Sequence, residues 1–255
     1  MIDLNVQVSG PEGAPPLLLV HALGANLTFW DRFVAEMGED VRCIRYDQRG
    51  FGRSPVPARP WTISDHVEDI EAIRHALGLD TLSIMGTAVG GVISLYYAHT
   101  YPERVRSVVF TNPTMGAKRE LSLARLEKMK SGGGGMDFIA EEAVSTAYGP
   151  LPHDAHFVHY RDDIFSKNDP KGYEMTVRGI VGTFIDPILD EMRCPVLVAG
   201  GALDYNNPPD GVARAVADRL RNATFVVAPS ASHLGPYQAP REFAEFVKPF
   251  LSSLP

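Results

Sequence analysis

The sequence predicts an α/β protein, with a mostly parallel sheet flanked by helices, on three observations. Short apolar runs at 16–20, 41–45, 82–85, 105–110, 196–199 and 224–228 are bounded by Gly, Pro or Asp, the pattern of strands covered on both faces. Helical patterns at 64–77, 89–101, 210–221 and 240–251 lie between them, which is the alternation of a doubly wound core. The alternation lapses between Pro113 and about Pro187, where helical segments at 120–130, 136–148 and 173–184 take over.

Each element has a local cause. The run Pro16-Leu-Leu-Leu-Val20 is continuous and leads into His21-Ala22-Leu23-Gly24. In the helix at 64–77, Val67, Ile70, Ile73 and Leu77 form one stripe, and Gly78 is a C-terminal stop. The run ending at Met85 meets Gly86-Thr87-Ala88-Val89-Gly90-Gly91, a strand, a tight glycine turn and a helix start. Val196-Leu-Val-Ala199 leads to Ala202-Leu203-Asp204, and the strand at 224–228 leads to Ser232-His233-Leu234. The helical stretch therefore reads as an insertion over the carboxyl ends of the sheet, where such folds bind ligands. The expected division is a core of 1–113 and 188–255 with a helical cap at 114–187. Gly132 to Gly135 within the cap reads equally as a lid hinge or an exposed turn.

With 255 residues and 45% hydrophobic content, the chain can bury one large core. A net charge of -7 argues against nucleic-acid or anionic-membrane surfaces, which need a basic field. The start Met1-Ile-Asp-Leu-Asn-Val lacks a basic region and a long apolar run, so a soluble cytoplasmic protein acting on a small molecule is expected. Cys43 and Cys194 adjoin strand-like runs and read as buried thiols. The Gly86-to-Gly91 segment does not fit Gly-x-Gly-x-x-Gly, and His153, His156 and His159 read more simply as cap-surface residues than as ligands. Neither cofactor nor metal is expected.

Gly-x-Ser-x-Gly is a nucleophile elbow, a strained strand-to-helix turn that lifts a side-chain oxygen into a cleft. Here the turn is complete, but Ala88 stands at its apex. The order of apex 88, acid 204 and base 233 is that of Ser…Asp…His hydrolases of this type. On these residues the chain resembles the α/β-hydrolase superfamily over nearly its whole length. The segments His21 to Asp31, Arg45 to Ser54, Ala202-Leu203-Asp204 with Pro208-Pro209, and Ser232-His233-Leu234 resemble the branch of 3-oxoadipate enol-lactonases and related carboxylesterases. Similar blocks occur in carbon–carbon bond hydrolases, haloperoxidase-like esterases and amide hydrolases.

The resemblance implies an α/β-hydrolase fold with a helical cap. It places nucleophile, acid and base at Ala88, Asp204 and His233, and oxyanion donors at the backbone N–H groups of Leu23 and Val89. His21 is expected to fix its loop by hydrogen bonding. Three explanations of Ala88 compete: an engineered serine-to-alanine change, a natural member with non-hydrolytic chemistry, and a natural binding protein. The retained acid, base and oxyanion loop favour the first, because an unused triad should drift. The second has a precedent in methylketone synthase, which resembles this fold and has alanine at the elbow. Thr87 should point away from the apex and is not expected to replace the nucleophile.

The expected pocket residues between core and cap are Trp30, Met115, Tyr148, Phe184 and Leu234, with Met129, Phe165 and Tyr237 as further candidates. All of them also suit ordinary packing. The cap cations Lys118, Arg119, Arg125 and Arg161 suit a substrate carboxylate or a solvated helix face equally well.

Overall fold

A computed structural model of the chain describes residues 3–116 and 119–254, with Arg119 described by its backbone alone. Lys118 and the Arg119 side chain lie outside the described residues. The seven-stranded sheet comprises β1 (Val6–Ser9), β2 (Pro16–Val20), β3 (Arg42–Tyr46), β4 (Leu82–Thr87), β5 (Val105–Thr111), β6 (Val196–Gly201) and β7 (Ala223–Ala228). Their spatial order is β1-β3-β2-β4-β5-β6-β7, and all neighbours are parallel except β1 on β3.

The six parallel strands are the six apolar runs of the sequence, and in the inner strands that continuity follows from burial on both faces, while the edge strand β7 is only partly buried. Successive side chains of a strand point in opposite directions. Leu17, Leu19, Met85, Val109 and Leu197 enter one buried cluster, while Leu18, Val20, Ile84, Val108 and Val198 enter the other. Each such side chain stabilises the fold by roughly 1.5–3 kcal/mol. Strand β1 escapes this pattern because it is an edge with mixed exposure, and Val8 is 41% exposed.

Eleven α-helical segments are described: α1 (Asp31–Met37), α2 (Ile63–Ala76), α3 (Val89–Thr100), α4 (Arg119–Ser131), α5 (Asp137–Tyr148), α6 (Ala155–His159), α7 (Pro170–Ile180), α8 (Asp186–Leu189), α9 (Arg214–Arg219), α10 (Gly235–Gln238) and α11 (Pro240–Ser252). Among the described residues none is long and apolar enough to cross a membrane. The α2 stripe of Val67, Ile70 and Ile73 is buried on the sheet with α3, and Gly78 follows in the left-handed region at φ 64°. Helices α4 to α7 lie between β5 and β6 and bury Leu126, Ile139, Val144, Phe157 and Val177 in the same cluster as Leu17 and Leu19.

Two boundaries differ from the sequence reading. The helix expected over 173–184 ends at Ile180, because Gly182 turns the chain at φ 85° and Phe184 then bridges Gly116. The helix expected over 210–221 opens with a π-type turn at Pro209–Ala213 before α9; the wider turn seats Pro209 against Gly200. The glycine run after α4 closes that helix, with the Gly134 N–H donating to the Met129 carbonyl at 2.9 Å, and the Phe138 ring lies over it.

From β2 the chain goes first to β3 on one side and then to β4 on the other. The carboxyl ends of β2 and β4 therefore flank the point where strand order reverses, which opens a crevice in doubly wound sheets. Pairing of Val20 with Gly86 brings the loop starting at His21 beside the turn at Ala88. The approach is close: a Cβ on Gly90 would lie 2.3 Å from the Val20 oxygen and 2.5 Å from that of His21. Gly90→Ala should therefore destabilise the fold by about 1–3 kcal/mol or more, read as a lower urea midpoint; an unchanged midpoint would show that the two backbones can part at no cost.

Candidate active site

The turn from β4 into α3 is the sharpest feature of the site. Ala88 has φ 50° and ψ -115°, a conformation that L-residues other than glycine rarely adopt. Its N–H donates to the Thr111 carbonyl at 3.0 Å, and its carbonyl accepts from Gly91 and Val92 at 3.0 and 3.2 Å. The turn is thus fixed from both sides. A Cβ on Gly86 would come within 2.3 Å of the Gly90 oxygen, so the glycines at these positions are a steric requirement. Thr87 is wholly buried with its hydroxyl 2.7 Å from that of Thr111, away from any cleft.

Asp204 and His233 come from the loops that leave β6 and β7. The carboxylate is fully buried, and His233 is about one-fifth exposed. Nδ1 of His233 lies 2.7 Å from Oδ2 of Asp204. A buried carboxylate needs several donors, and Asp204 has them: Oδ1 accepts from the N–H groups of Asn206 at 3.1 Å and Asn207 at 3.0 Å. The Asn112 amide lies 3.4 Å from Oδ2.

Asn112 has no counterpart in the sequence reading. It sits at the end of β5 in the left-handed region, φ 46°, which Asn tolerates better than most residues. From there its amide donates to the Ser232 carbonyl at 2.7 Å and its oxygen accepts from the Gly235 N–H at 3.1 Å. One side chain thereby joins the loops carrying Asp204 and His233. The end of α5 contributes as well: the His233 N–H donates to the Ala147 carbonyl at 3.1 Å, and the Asn206 amide to that of Thr146 at 2.6 Å.

His21 is wholly buried. Its Nε2 accepts from the Gln48 N–H at 3.0 Å, which leaves the proton on Nδ1, 2.9 Å from the Ala22 carbonyl. Burial pulls its pKa down from 6.5 to about 4, so the ring is a neutral loop fastener. Gln48 reinforces it by donating to the His21 carbonyl at 2.6 Å. The neighbouring His66 is also fully buried, and its pKa falls to about 3 through burial and the charge of Arg49.

Ala88, Val89, Leu23, His233 and Leu234 line one cleft of about 320 Å³. The backbone N–H groups of Leu23 and Val89 have no backbone acceptor among the described residues; Val89 opens α3, where the first N–H groups lack intrahelical partners. The opposite wall comes from the insertion and includes Arg125, Val144, Tyr160, Tyr173 and Val177. Of the apolar residues expected to line the pocket, Leu234 and Phe165 do so.

The other candidates lie elsewhere, for identifiable reasons. Trp30 is fully buried between Phe29 and Phe33, and Tyr148 is buried edge-on to Phe157. Met115 packs against the opposite cluster, and Phe184 is 43% exposed beside Gly116. Met129 and Tyr237 are core residues. Among the cap cations, Arg161 pairs with Glu141 and Asp162. His153 stacks on Phe157 at 3.7 Å, and His159 lies 3.1 Å from Asp163.

A strained strand-to-helix turn, a buried carboxylate oriented on an imidazole, and backbone N–H groups without a backbone acceptor among the described residues are the arrangement of the hydrolase class of α/β proteins. The sequence profile of the α/β-hydrolase fold matches residues 15–240, and the chain belongs to that family. Among curated relatives, it is 25% identical to 3-oxoadipate enol-lactonase 2 of Acinetobacter baylyi, with 97% of this chain and 92% of that protein covered. It is 30% identical to a putative carbamate hydrolase, RutD, of a Caulobacter species, with 92% and 90% covered. Among solved structures, an enol-lactonase of Burkholderia xenovorans is 25% identical with a TM-score of 0.89, covering 98% of this chain and 96% of that one. A thermophilic esterase of Thermogutta terrifontis with malate bound is 25% identical with a TM-score of 0.90, covering 98% and 93%.

The two buried histidines give the fold an acid limit. Their folded-state pKa values lie below the ordinary 6.5, so as pH falls below about 6.5 the unfolded chain takes up protons that the folded chain does not. Stability therefore declines on acidification and is regained as pH rises toward 6.5. Urea midpoints should fall between pH 7 and 5, and His66→Leu should shallow that slope; an unaltered slope would remove His66 from the account. Asn112→Ala should cost about 2–4 kcal/mol, because it leaves the Ser232 carbonyl and Gly235 N–H unpaired, and should move the His233 ring resonances in NMR spectra. Unmoved resonances would mean that the two loops hold their places without Asn112.

Proposed function

We propose that the cleft is the acyl-transfer site of a serine-type hydrolase of small carboxylic esters or lactones, with the nucleophile position occupied in this chain by Ala88. The observation that carries this reading is the 2.7 Å pairing of His233 with Asp204 beside a cleft that Ala88 also lines. The enol-lactonase and esterase relatives support ester or lactone bonds; the carbamate hydrolase relative keeps amide-type bonds within reach of the same chemistry.

With serine at position 88, His233 would take the hydroxyl proton while Asp204 held the ring and stabilised its cation. The freed oxygen would attack the carbonyl, and the N–H groups of Leu23 and Val89 would receive the developing oxyanion. Collapse of the resulting tetrahedral intermediate would break the ester C–O bond, with His233 returning the proton to the departing alcohol oxygen; water, activated by His233, would then attack the acyl-enzyme, and the acid and the serine hydroxyl would be released. The helical insertion at 114–187 serves in this scheme as the cap that closes the substrate side of the cleft. With Ala88 no acyl-enzyme forms, and the N–H donors and binding alone supply about 10³–10⁴-fold over water.

A second reading is favoured by the completeness of the acid–base pair without its nucleophile. His233 could move a proton on a carbon acid while the same N–H groups hold an enolate, as a cofactor-free decarboxylase or lyase would require. One comparison separates the readings. Ala88→Ser should raise hydrolysis of p-nitrophenyl esters and small lactones by about 10³-fold or more, and His233→Ala in that background should abolish the gain. No gain, together with carbon dioxide release from a β-keto acid by the Ala88 protein, would reject the first reading for the second.

A further inference from the structure

The cleft described above has an uneven charge. Among its described lining residues Arg125 is the one cation, and no aspartate or glutamate lines it. Arg125 lies in the middle of α4, whose Leu126 and Met129 are buried in the core, so the helix is held at this point by packing. Its lysines are engaged, Lys128 with Glu142 and Lys130 with Glu174. Arg125 forms no ion pair among the described residues, and Glu142, which feels its charge, is held by Lys128 instead.

The guanidinium also has a polar companion. It lies against the hydroxyl of Tyr173, a residue 1% exposed that lines the same wall from α7. With no carboxylate partner among the described residues, the guanidinium keeps N–H donors for a ligand, and its fork of N–H groups matches a planar carboxylate. The reacting side of the cleft, with Ala88, Val89, Leu23 and His233, is formed by the core, whereas Arg125 and Tyr173 belong to the insertion.

We infer that Arg125, with the Tyr173 hydroxyl, is the subsite for a free carboxylate carried by the substrate, so that the cleft takes acidic esters or lactones in preference to neutral ones. The inference rests on the proposed hydrolase reading for the word ester. The charge selection itself rests only on the cleft. A single guanidinium suits a monoanion; a phosphate dianion would call for a second cation or a nest of backbone N–H groups.

Ala88 makes the test one of equilibrium binding, since an ester probe is not consumed through an acyl-enzyme. Monomethyl glutarate and dimethyl glutarate are titrated into the chain as it stands and followed by NMR shifts of the cleft residues. The monoester should bind about 10- to 100-fold more tightly, the range of charge-assisted hydrogen bonds, and its advantage should shrink with added salt. Arg125→Gln should erase the difference while leaving dimethyl glutarate binding in place, and Arg125→Lys should retain part of it. Equal binding of the two probes, or a preference that survives Arg125→Gln, overturns the inference. Absence of hydrolysis in the Ala88→Ser protein with the preference intact would instead overturn the hydrolase reading and leave the anion subsite standing.

Discussion

The site is organised around one steric fact: between β4 and α3 the chain reverses within a few residues, and only glycine fits beside the reversal. The conformation of Ala88 at φ 50° is sustained because β2 and β5 press on it from two sides. Val20 and His21 approach Gly90, and the Thr111 carbonyl holds the Ala88 N–H. Strain of this kind costs of order 1–3 kcal/mol and persists only where the surroundings over-determine it. The sheet order supplies those surroundings, since it is the crossover between β3 and β4 that sets the loop after β2 against the turn.

Around that reversal the polar groups divide into two kinds. His21, Gln48 and Asn112 spend their hydrogen bonds on other protein groups and hold loops in place. The N–H groups of Leu23 and Val89 have no backbone acceptor within the described residues, and the Arg125 guanidinium, set against the Tyr173 hydroxyl, has no carboxylate partner there. Asp204 and His233 stand between the two kinds, with the carboxylate satisfied from inside and the ring facing the cleft. The placement of buried charge follows the same logic: the buried carboxylates Asp47, Asp69 and Asp204 each accept from several donors.

The inner parallel strands were legible because burial on both faces leaves a continuous apolar signature, and the edge strand β7 because its run Phe225-Val-Val-Ala228 is apolar although only partly buried. The sequence hid β1, which is half exposed at an edge, and the π-type turn at Pro209–Ala213, where a helical period does not register one extra residue. Asp204 and His233 stood out because they follow strands in a recognisable order. Asn112 did not, because its role needs a left-handed backbone and partners 92 and 120 residues away. Trp30 and Tyr148 show a related blindness: apolar character announces burial, but whether the buried ring meets protein or a ligand cavity depends on packing that no local pattern carries.

The end of α5 has a mechanical meaning. Two carbonyls of its last turn, those of Thr146 and Ala147, are tied to Asn206 and to the backbone of His233. Part of the insertion is therefore riveted to the same loops that carry the acid and the base. A rigid swing of the whole insertion away from the sheet would drag the imidazole with it and break its alignment on Asp204. A displacement that spared the pairing would have to be confined to segments remote from that rivet, with α5 staying in place as a fixed jamb.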